Sequence, residues 1–133
     1  MTNTELVRFL YQDVVNARRF ERLTEVLSPA LAPEFEAAVR VLLTGFPDVR
    51  FHLVELLAEG ARVVVRWQWS GTHTGPFRGI APTGKFVLND GVVFFSFEAG
   101  RATSAWTLND RLGVLQALGV VEAGLAQVKP VKP

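Results

Sequence analysis

Asp110 is the acidic residue best placed for proton-transfer chemistry, because it stands where a predicted strand ends. In the stretch RATSAWTLND, residues two apart point to the same side of a strand, so Asp110 shares a face with Trp106 and Leu108. At such a position burial and neighbouring charges adjust how readily a carboxyl group exchanges a proton, as a general base requires. Arg66, on an earlier predicted strand, is the nearest candidate cation by strand order. Asp110 and Arg66 therefore form a candidate catalytic pair.

A purely structural role for Asp110 is also open. Aspartate is a favoured N-cap residue, and a short helix is predicted to begin near Leu112. Residue spacing by itself favours this cap role and leaves the catalytic role open.

Composition disfavours several other classes of function. The chain has no cysteine, which removes disulfides, thiolate metal sites and thiol nucleophiles. Its two histidines and scattered acidic residues lack the spacing of the usual metal sites. Fourteen Lys and Arg against thirteen Asp and Glu give a net charge of +1, so no strong field attracts nucleic acid or acidic lipid.

The segment GTHTGPFRGIAPTGK, from Gly71 to Lys85, separates two strongly strand-like segments. Its four glycines and two prolines supply the conformations of a turn at the rim of a sheet. The segment lacks the glycine pattern and the following helix of a phosphate-binding loop. Within it, His73 has the simple alternative of a bond to the loop backbone.

Hydrophobic periodicity predicts helices first and strands afterwards. Thr4 is available to cap the first helix, Pro33 suits the start of the third, and Gly45 and Pro47 close it. Four strands joined by short turns predict consecutive hairpins and an α+β domain in which one curved antiparallel sheet wraps onto the helices. The predicted helices are 5–16, 20–27, 33–45 and 111–118, and the predicted strands are 49–58, 62–72, 86–97 and 101–108.

The predicted organisation is a single domain over residues 1–133, with a frayed tail at 126–133. The charged N-terminal segment differs from a signal peptide, and no apolar run is long enough to span a bilayer, so a cytoplasmic location is the expectation. On the predicted strand 62–72, Trp67 and Trp69 share a face with His73. The two tryptophans fit either core packing or a dimer contact.

Several motifs occur together in the second half of the chain. They are FPDV at 46–49, the loop GTHTGPFRGIAPTGK, the turn at Gly100, W-x-x-x-D from Trp106 to Asp110, and LGVLQALG at 112–119. Together they resemble the SnoaL-like polyketide cyclases, also called ester cyclase-like proteins, of the NTF2-like superfamily. The resemblance covers roughly residues 46–119 in order, and the N-terminal helices in outline. It implies a cone-shaped α+β barrel with a hydrophobic pocket, and commonly a homodimer.

The resemblance also implies a mechanism. In such cyclases the aspartate of W-x-x-x-D removes a proton next to a carbonyl during an intramolecular aldol ring closure, and that position is Asp110 here. This chemistry uses no metal or cofactor, since it needs one base, an apolar pocket and a donor for the developing enolate oxygen. Arg66 is similar to an arginine used by limonene-epoxide hydrolases of the same superfamily. Gln68 stands where those enzymes have an aspartate, which argues against epoxide hydrolysis.

The sequence departs from the family pattern at three places. Ser96 stands where a histidine or arginine is usual, Ser104 stands where a glutamate is common, and the segment 28–33 replaces a strand-like segment with a histidine. In the family the glycine-rich loop borders the pocket mouth, so the resemblance implies that His73 and Phe77 of this loop are candidate ligand contacts. The candidate substrate-binding residues are thus Trp106, Gln68, Ser96, Ser104, His73 and Phe77.

Two functions follow from these observations. The first is a cofactor-independent cyclase or isomerase that acts on a hydrophobic carbonyl compound, with Asp110 as base, Arg66 as electrostatic partner and Trp106 as pocket wall. The second is a non-catalytic module of the same fold that binds a small apolar molecule or dimerises. The loss of ionisable groups at Ser96 and Ser104 motivates the second.

Overall fold

A computed structural model describes residues 1–121, which fold into helices followed by a four-stranded sheet, the predicted α+β arrangement. Within those residues every helix is too short to traverse a lipid bilayer. The predicted tail at 126–133 lies outside the described residues. The elements are α1 (Asn3–Phe9), a π-helix (Leu10–Val15), a 3-10 helix (Phe20–Glu25), α2 (Leu31–Gly45), β1 (Arg50–Glu59), β2 (Arg62–Thr72), β3 (Phe86–Glu98), β4 (Arg101–Asn109) and α3 (Arg111–Ala117).

The first helix begins earlier than its predicted cap. Thr2, and not Thr4, is the N-cap: its hydroxyl accepts a hydrogen bond from the Glu5 amide at 3.1 Å, and Glu5 accepts one from the Thr2 amide at 3.4 Å. This reciprocal pair is a capping box, which needs the acidic residue three positions after the cap. The predicted continuous helix over 5–16 is wrong in its second half, where the chain forms the π-helix.

The sheet has the predicted antiparallel order β1-β2-β3-β4. Irregularities in register fall between Leu53 and Glu55 and between Ser96 and Phe97. Because extra residues of this kind bend and twist a strand, they help the sheet curve around the helices. The predicted strand bounds differ from the observed ones by at most one residue at each end.

The inner face of the sheet carries the core. Trp67 and Trp69 are both buried on it. Of the two alternatives for these tryptophans, core packing is confirmed and the dimer contact is wrong. The Trp67 indole N–H donates to the Tyr11 hydroxyl at 3.2 Å. A side chain at Gly91 would place its Cβ 2.4 Å from the Trp67 ring, so this inner position accepts only glycine without displacing the indole.

Polar side chains tie the helical layer to β1. The Asn16 amide donates to the Phe51 carbonyl at 2.9 Å and accepts from the Phe51 amide at 2.8 Å, so it pairs with the strand as a neighbouring backbone would. Arg18 donates to the Pro47 and Val49 carbonyls. Burial lowers the pKa of Arg18, while the Asp48 carboxylate opposes that shift. These bonds fix Phe51 where it faces the inner cavity.

Candidate functional site

A cavity of about 390 Å³ lies between α2, the π-helix and the inner face of the sheet. Pockets of this size suit a small organic ligand, and most are lined mainly by apolar groups. This cavity follows that pattern, and its aromatic wall consists of Tyr11, Phe35, Phe51, Trp67, Trp69 and Phe77.

Tyr11 reaches the cavity from the π-helix. Pi-helical turns are rare and occur frequently at functional sites. Burial raises the pKa of the Tyr11 phenol, so the hydroxyl stays protonated at neutral pH. Its oxygen accepts the Trp67 indole N–H, and within residues 1–121 its own O–H has no acceptor. The cavity therefore contains a neutral O–H donor in an apolar wall.

Asn89 is the second polar group in this wall. It lies on the inner face of β3 opposite Trp69, and only 3% of its surface is exposed. Its side chain lines the cavity and makes no hydrogen bond to any other group in the described part of the chain. Its amide is therefore open to the cavity, where a ligand that offers an acceptor would hydrogen-bond to it.

Four polar side chains line the part of the cavity that opens to solvent: Thr107, Asn109, Arg78 and Arg111. Among residues 1–121, no aspartate, glutamate or histidine lines the cavity. The wall itself therefore offers hydrogen-bond donors and cations, and no carboxylate or imidazole that could act there as a base.

Asp110, the predicted base, is exposed at the end of β4 and caps α3. Its Oδ1 accepts a hydrogen bond from the Gly113 amide at 2.9 Å. Asp110 does not line the inner cavity. It borders a shallow surface depression whose wall includes Thr107, Asn109 and Arg111, and these three side chains also line the cavity. The carboxylate is thus next to the mouth of the cavity and outside it.

Arg66 and Gln68 lie on the outer face of the sheet, away from the cavity lining. Arg66 forms an exposed ion pair with Glu55 at 3.3 Å. Gln68 donates to the Asp90 carboxylate at 3.4 Å. The side chain that contacts Arg66 is thus Glu55 on β1, which two strands separate from β4, and Asp110 is bonded to its own helix.

Trp106, Ser96 and Ser104 also lie on the outer face. Trp106 is 58% exposed and packs edge-to-face on Phe94, with ring centroids 5.7 Å apart. Ser96 and Ser104 are direct partners in the β3–β4 register. Of the six predicted substrate-binding residues, Phe77 alone lines the cavity.

His73 is buried, and the hydrogen bonds of its side chain lie within its own loop. Its Nδ1 accepts from the Thr83 amide at 3.1 Å and lies 3.0 Å from the Thr83 hydroxyl. Since Nδ1 accepts a hydrogen bond from the Thr83 amide, Nε2 carries the hydrogen of the neutral ring. Nε2 is buried without a partner in the described chain, and the ring lies 5.2 Å from that of Phe46. The bond to the loop backbone is the alternative that the sequence left open.

Sequence reasoning did not identify Tyr11 and Asn89 as site residues. Signals for both existed: Tyr11 is the chain's single tyrosine within an apolar helix, and Asn89 interrupts the inward apolar positions Val87 and Val93 of β3. A lone polar residue on the inward face of a strand indicates a buried polar group.

Comparison with known proteins gives a consistent result. The model of the SnoaL-like polyketide cyclase family matches residues 5–118. A candidate SnoaL-like polyketide cyclase from Jannaschia sp. CCS1 is 25% identical, with a TM-score of 0.81 over 90% of this chain and 92% of that one. A candidate polyketide cyclase from Acidithiobacillus ferrooxidans is 26% identical, with a TM-score of 0.75 over 90% and 96%.

A third structure, a SnoaL-like polyketide cyclase from Agrobacterium tumefaciens, shares the fold at 20% identity, with a TM-score of 0.73 over 90% of this chain and all of that one. No match to this chain is found among curated protein sequences. The fold expected from the sequence, an α+β fold of the NTF2-like type, is confirmed.

Proposed function

The chain belongs to the SnoaL-like polyketide cyclase family, and we propose that its inner cavity binds a small hydrophobic carbonyl compound. One observation carries this proposal: two hydrogen-bond donors, the Tyr11 hydroxyl and the Asn89 amide, stand without acceptors within residues 1–121 in the aromatic part of the wall. A carbonyl oxygen supplies the acceptor that such donors lack, and the apolar body of the ligand suits the aromatic rings.

The same donors suit acid/base chemistry that needs no cofactor. When a proton leaves the carbon next to a carbonyl, negative charge develops on the oxygen, and fixed donors in an apolar site stabilise that charge more strongly than water does. Tyr11 is suited to this task because its hydroxyl remains protonated and the Trp67 indole holds its oxygen in place. The cavity would then favour the enolate-like form of a bound ketone.

Binding can be tested with two probes that differ by one oxygen atom, naphthyl methyl ketone and ethylnaphthalene. We expect the wild-type chain to bind both probes. Asn89→Leu should lower the affinity for the ketone by roughly 2- to 10-fold, since one net hydrogen bond is worth about 0.5–1.5 kcal/mol. Leucine has nearly the shape of asparagine, so affinity for ethylnaphthalene should stay the same or rise. Calorimetric titration measures both affinities. An equal loss of affinity for the two probes would mean that Asn89 contributes to packing alone.

A second candidate function is catalysis, a cyclisation or isomerisation with Asp110 as base. The observation that favours it is the shared wall: Thr107, Asn109 and Arg111 line both the cavity and the depression beside Asp110. Arg66 could act as the electrostatic partner of Asp110 only after its ion pair with Glu55 breaks. An exposed ion pair of this kind contributes about 0–1 kcal/mol, so breaking it costs little.

Two substitutions at Asp110 separate a base from a helix cap. Asp110→Ala removes both roles and should lower the free energy of unfolding by about 0.5–2 kcal/mol, whereas asparagine is an equally good cap and should preserve stability. Proton removal by the base can be followed by NMR. The measurement is the rate at which the hydrogens next to the carbonyl of naphthyl methyl ketone exchange with deuterated water. If Asp110 is the base, Asp110→Asn slows exchange about 10²-fold or more. Wild-type exchange no faster than in buffer would rule out the catalytic candidate for this probe.

We also propose that two copies pair through the outer face of the sheet. Its exposed apolar residues include Leu57, 63% exposed, Leu108, 59% exposed, and the Trp106 ring, on the edge strands β1 and β4. Arg66 and Glu55 add both signs of charge to this face. A two-fold symmetric contact needs a patch that is complementary to itself, and a surface that combines apolar residues with both charges meets that condition.

Trp106→Glu should convert this dimer to a monomer, because a carboxylate would be buried in the contact without a partner. Sedimentation velocity measures the change directly. Val41→Glu is the control, since Val41 is also an exposed apolar residue, 41% exposed, but lies on α2 on the helical side of the sheet. A wild-type chain that sediments as a monomer would overturn the proposal.

A further inference from the structure

We propose that the ligand of the inner cavity carries an anionic oxygen group, a carboxylate or a phosphate, which Arg78 and Arg111 hold at the mouth. This inference rests on the proposed binding function and adds the chemical class of the ligand. The hydrophobic body lies inside, against the aromatic wall, and the charged end lies at the opening.

The first observation is the charge of the cavity wall. Arg78 and Arg111 both line the cavity, and no acidic residue in the described chain does. Neither guanidinium forms a salt bridge within residues 1–121, although the Asp110 carboxylate borders the same surface depression as Arg111. Because guanidinium groups match carboxylates and phosphates in shape and charge, two such groups without a carboxylate partner favour an anion.

The second observation is that the backbone holds both arginines in place. Mutual backbone hydrogen bonds between Phe77 and Ile80, at 3.0 and 2.8 Å, close the turn that carries Arg78. Arg78 has a φ of 46°, a left-handed conformation that non-glycine residues seldom adopt. Its guanidinium lies over the Phe77 ring at 5.7 Å, beside the aromatic wall. Arg111 directly follows the Asp110 cap, which fixes the start of α3.

The third observation is the composition of the wall around these cations. Asn109 and Thr107 line the cavity with Arg111 and supply further donors, while the deeper wall is aromatic. This distribution suits an amphipathic molecule with one charged end. A fully apolar molecule would use only the aromatic part of the wall and would leave the two guanidiniums to water.

Three probes with one aromatic body test the inference: naphthylacetate, naphthyl phosphate and the neutral ethylnaphthalene. At low ionic strength the wild-type chain should bind at least one of the two anions about tenfold more tightly than ethylnaphthalene. The tighter of the two identifies the group as carboxylate or phosphate. Added salt should reduce this preference, because the arginines are exposed.

The double variant Arg78→Gln with Arg111→Gln should lose the tenfold preference and keep its affinity for ethylnaphthalene. The control is Arg8→Gln with Arg101→Gln, which removes the same net charge from exposed positions that do not line the cavity. If the first variant keeps the preference, or if the wild-type chain binds ethylnaphthalene as tightly as both anions, the inference is wrong and the cavity function stands. If the wild-type chain binds none of the three probes, both proposals fail.

Discussion

Replacing Phe46 with alanine is expected to lower the free energy of unfolding by about 3–5 kcal/mol, the usual cost of removing a fully buried phenylalanine. Phe46 has no exposed surface and follows the last residue of α2. Its ring contacts those of Trp69, His73 and Phe77, with centroids 4.9, 5.2 and 5.3 Å away. The ring therefore joins α2, the sheet and the glycine-rich loop, and its removal would leave a cavity among all three.

Urea denaturation of the two proteins measures this loss. Phe86→Ala is the matched control, because Phe86 is 66% exposed at the start of β3 and its truncation should change stability by about 0.5 kcal/mol or less. Since natural domains are stable by only about 5–15 kcal/mol, Phe46→Ala should be close to the limit of folding at physiological temperature. A loss below 1 kcal/mol would mean that neighbouring rings close the space.

The glycine-rich loop also explains part of the site that Phe46 supports. The Thr74 and Gly75 amides donate to the Gly45 carbonyl, at 3.2 and 3.1 Å, so the loop lies against the end of α2. A Cβ at Gly45 would approach the Phe77 Cβ to 2.6 Å. The absence of a side chain at Gly45 lets Phe77 pack close to the helix and line the cavity. The loop is thus both a turn and a wall of the cavity.

The sheet was predictable because its signals are local. Alternation of apolar residues with a period of two places Val63, Val65, Trp67 and Trp69 on one face from the sequence alone. Glycine turns mark where each hairpin reverses. The structure confirms both the face and the strand bounds. Which face meets the helices is a long-range property, and for that reason the pattern left the dimer contact of the tryptophans open.

The helical layer was less predictable, because its details depend on tertiary contacts. Apolar spacing predicts a helix through residues 5–16, but cannot show that the second half widens into a π-helix. The bond between Tyr11 and Trp67 joins residues 56 positions apart. The pairing of Asn16 with the Phe51 backbone spans 35 positions. Spacing along the chain contains no information about such pairs.

The W-x-x-x-D motif illustrates how far a sequence resemblance reaches for the site. Together with the other motifs it pointed to the family, which the family match confirms, and the helix predicted after Asp110 is present. It did not indicate the surroundings of that carboxylate, which bonds to Gly113 and stays exposed. Two residues inside the motif, Thr107 and Asn109, do line the cavity, but the two polar groups of its aromatic wall, Tyr11 and Asn89, lie outside the motif.

The largest effect on ligand binding is expected from Ala38→Trp. Ala38 is an exposed residue of α2 that lines the cavity, so an indole there would occupy space needed by the ligand. We expect affinity for naphthyl methyl ketone to fall about 10- to 100-fold, which corresponds to the roughly 1–3 kcal/mol cost of overfilling a packed site. The fold should be retained, because tryptophan in an exposed helix position costs less than about 1 kcal/mol relative to alanine.

Ala37→Trp is a matched control for this substitution. Ala37 precedes Ala38 in α2 and is also exposed, but it does not line the cavity. Neighbouring helical residues point about 100° apart, so the same indole should project into solvent and leave binding unchanged. Calorimetric titration of both variants, with thermal denaturation to verify the fold, separates the two positions. Equal affinities in the two variants would place the binding site outside this cavity, whereas loss in Ala38→Trp alone would locate the ligand beneath α2.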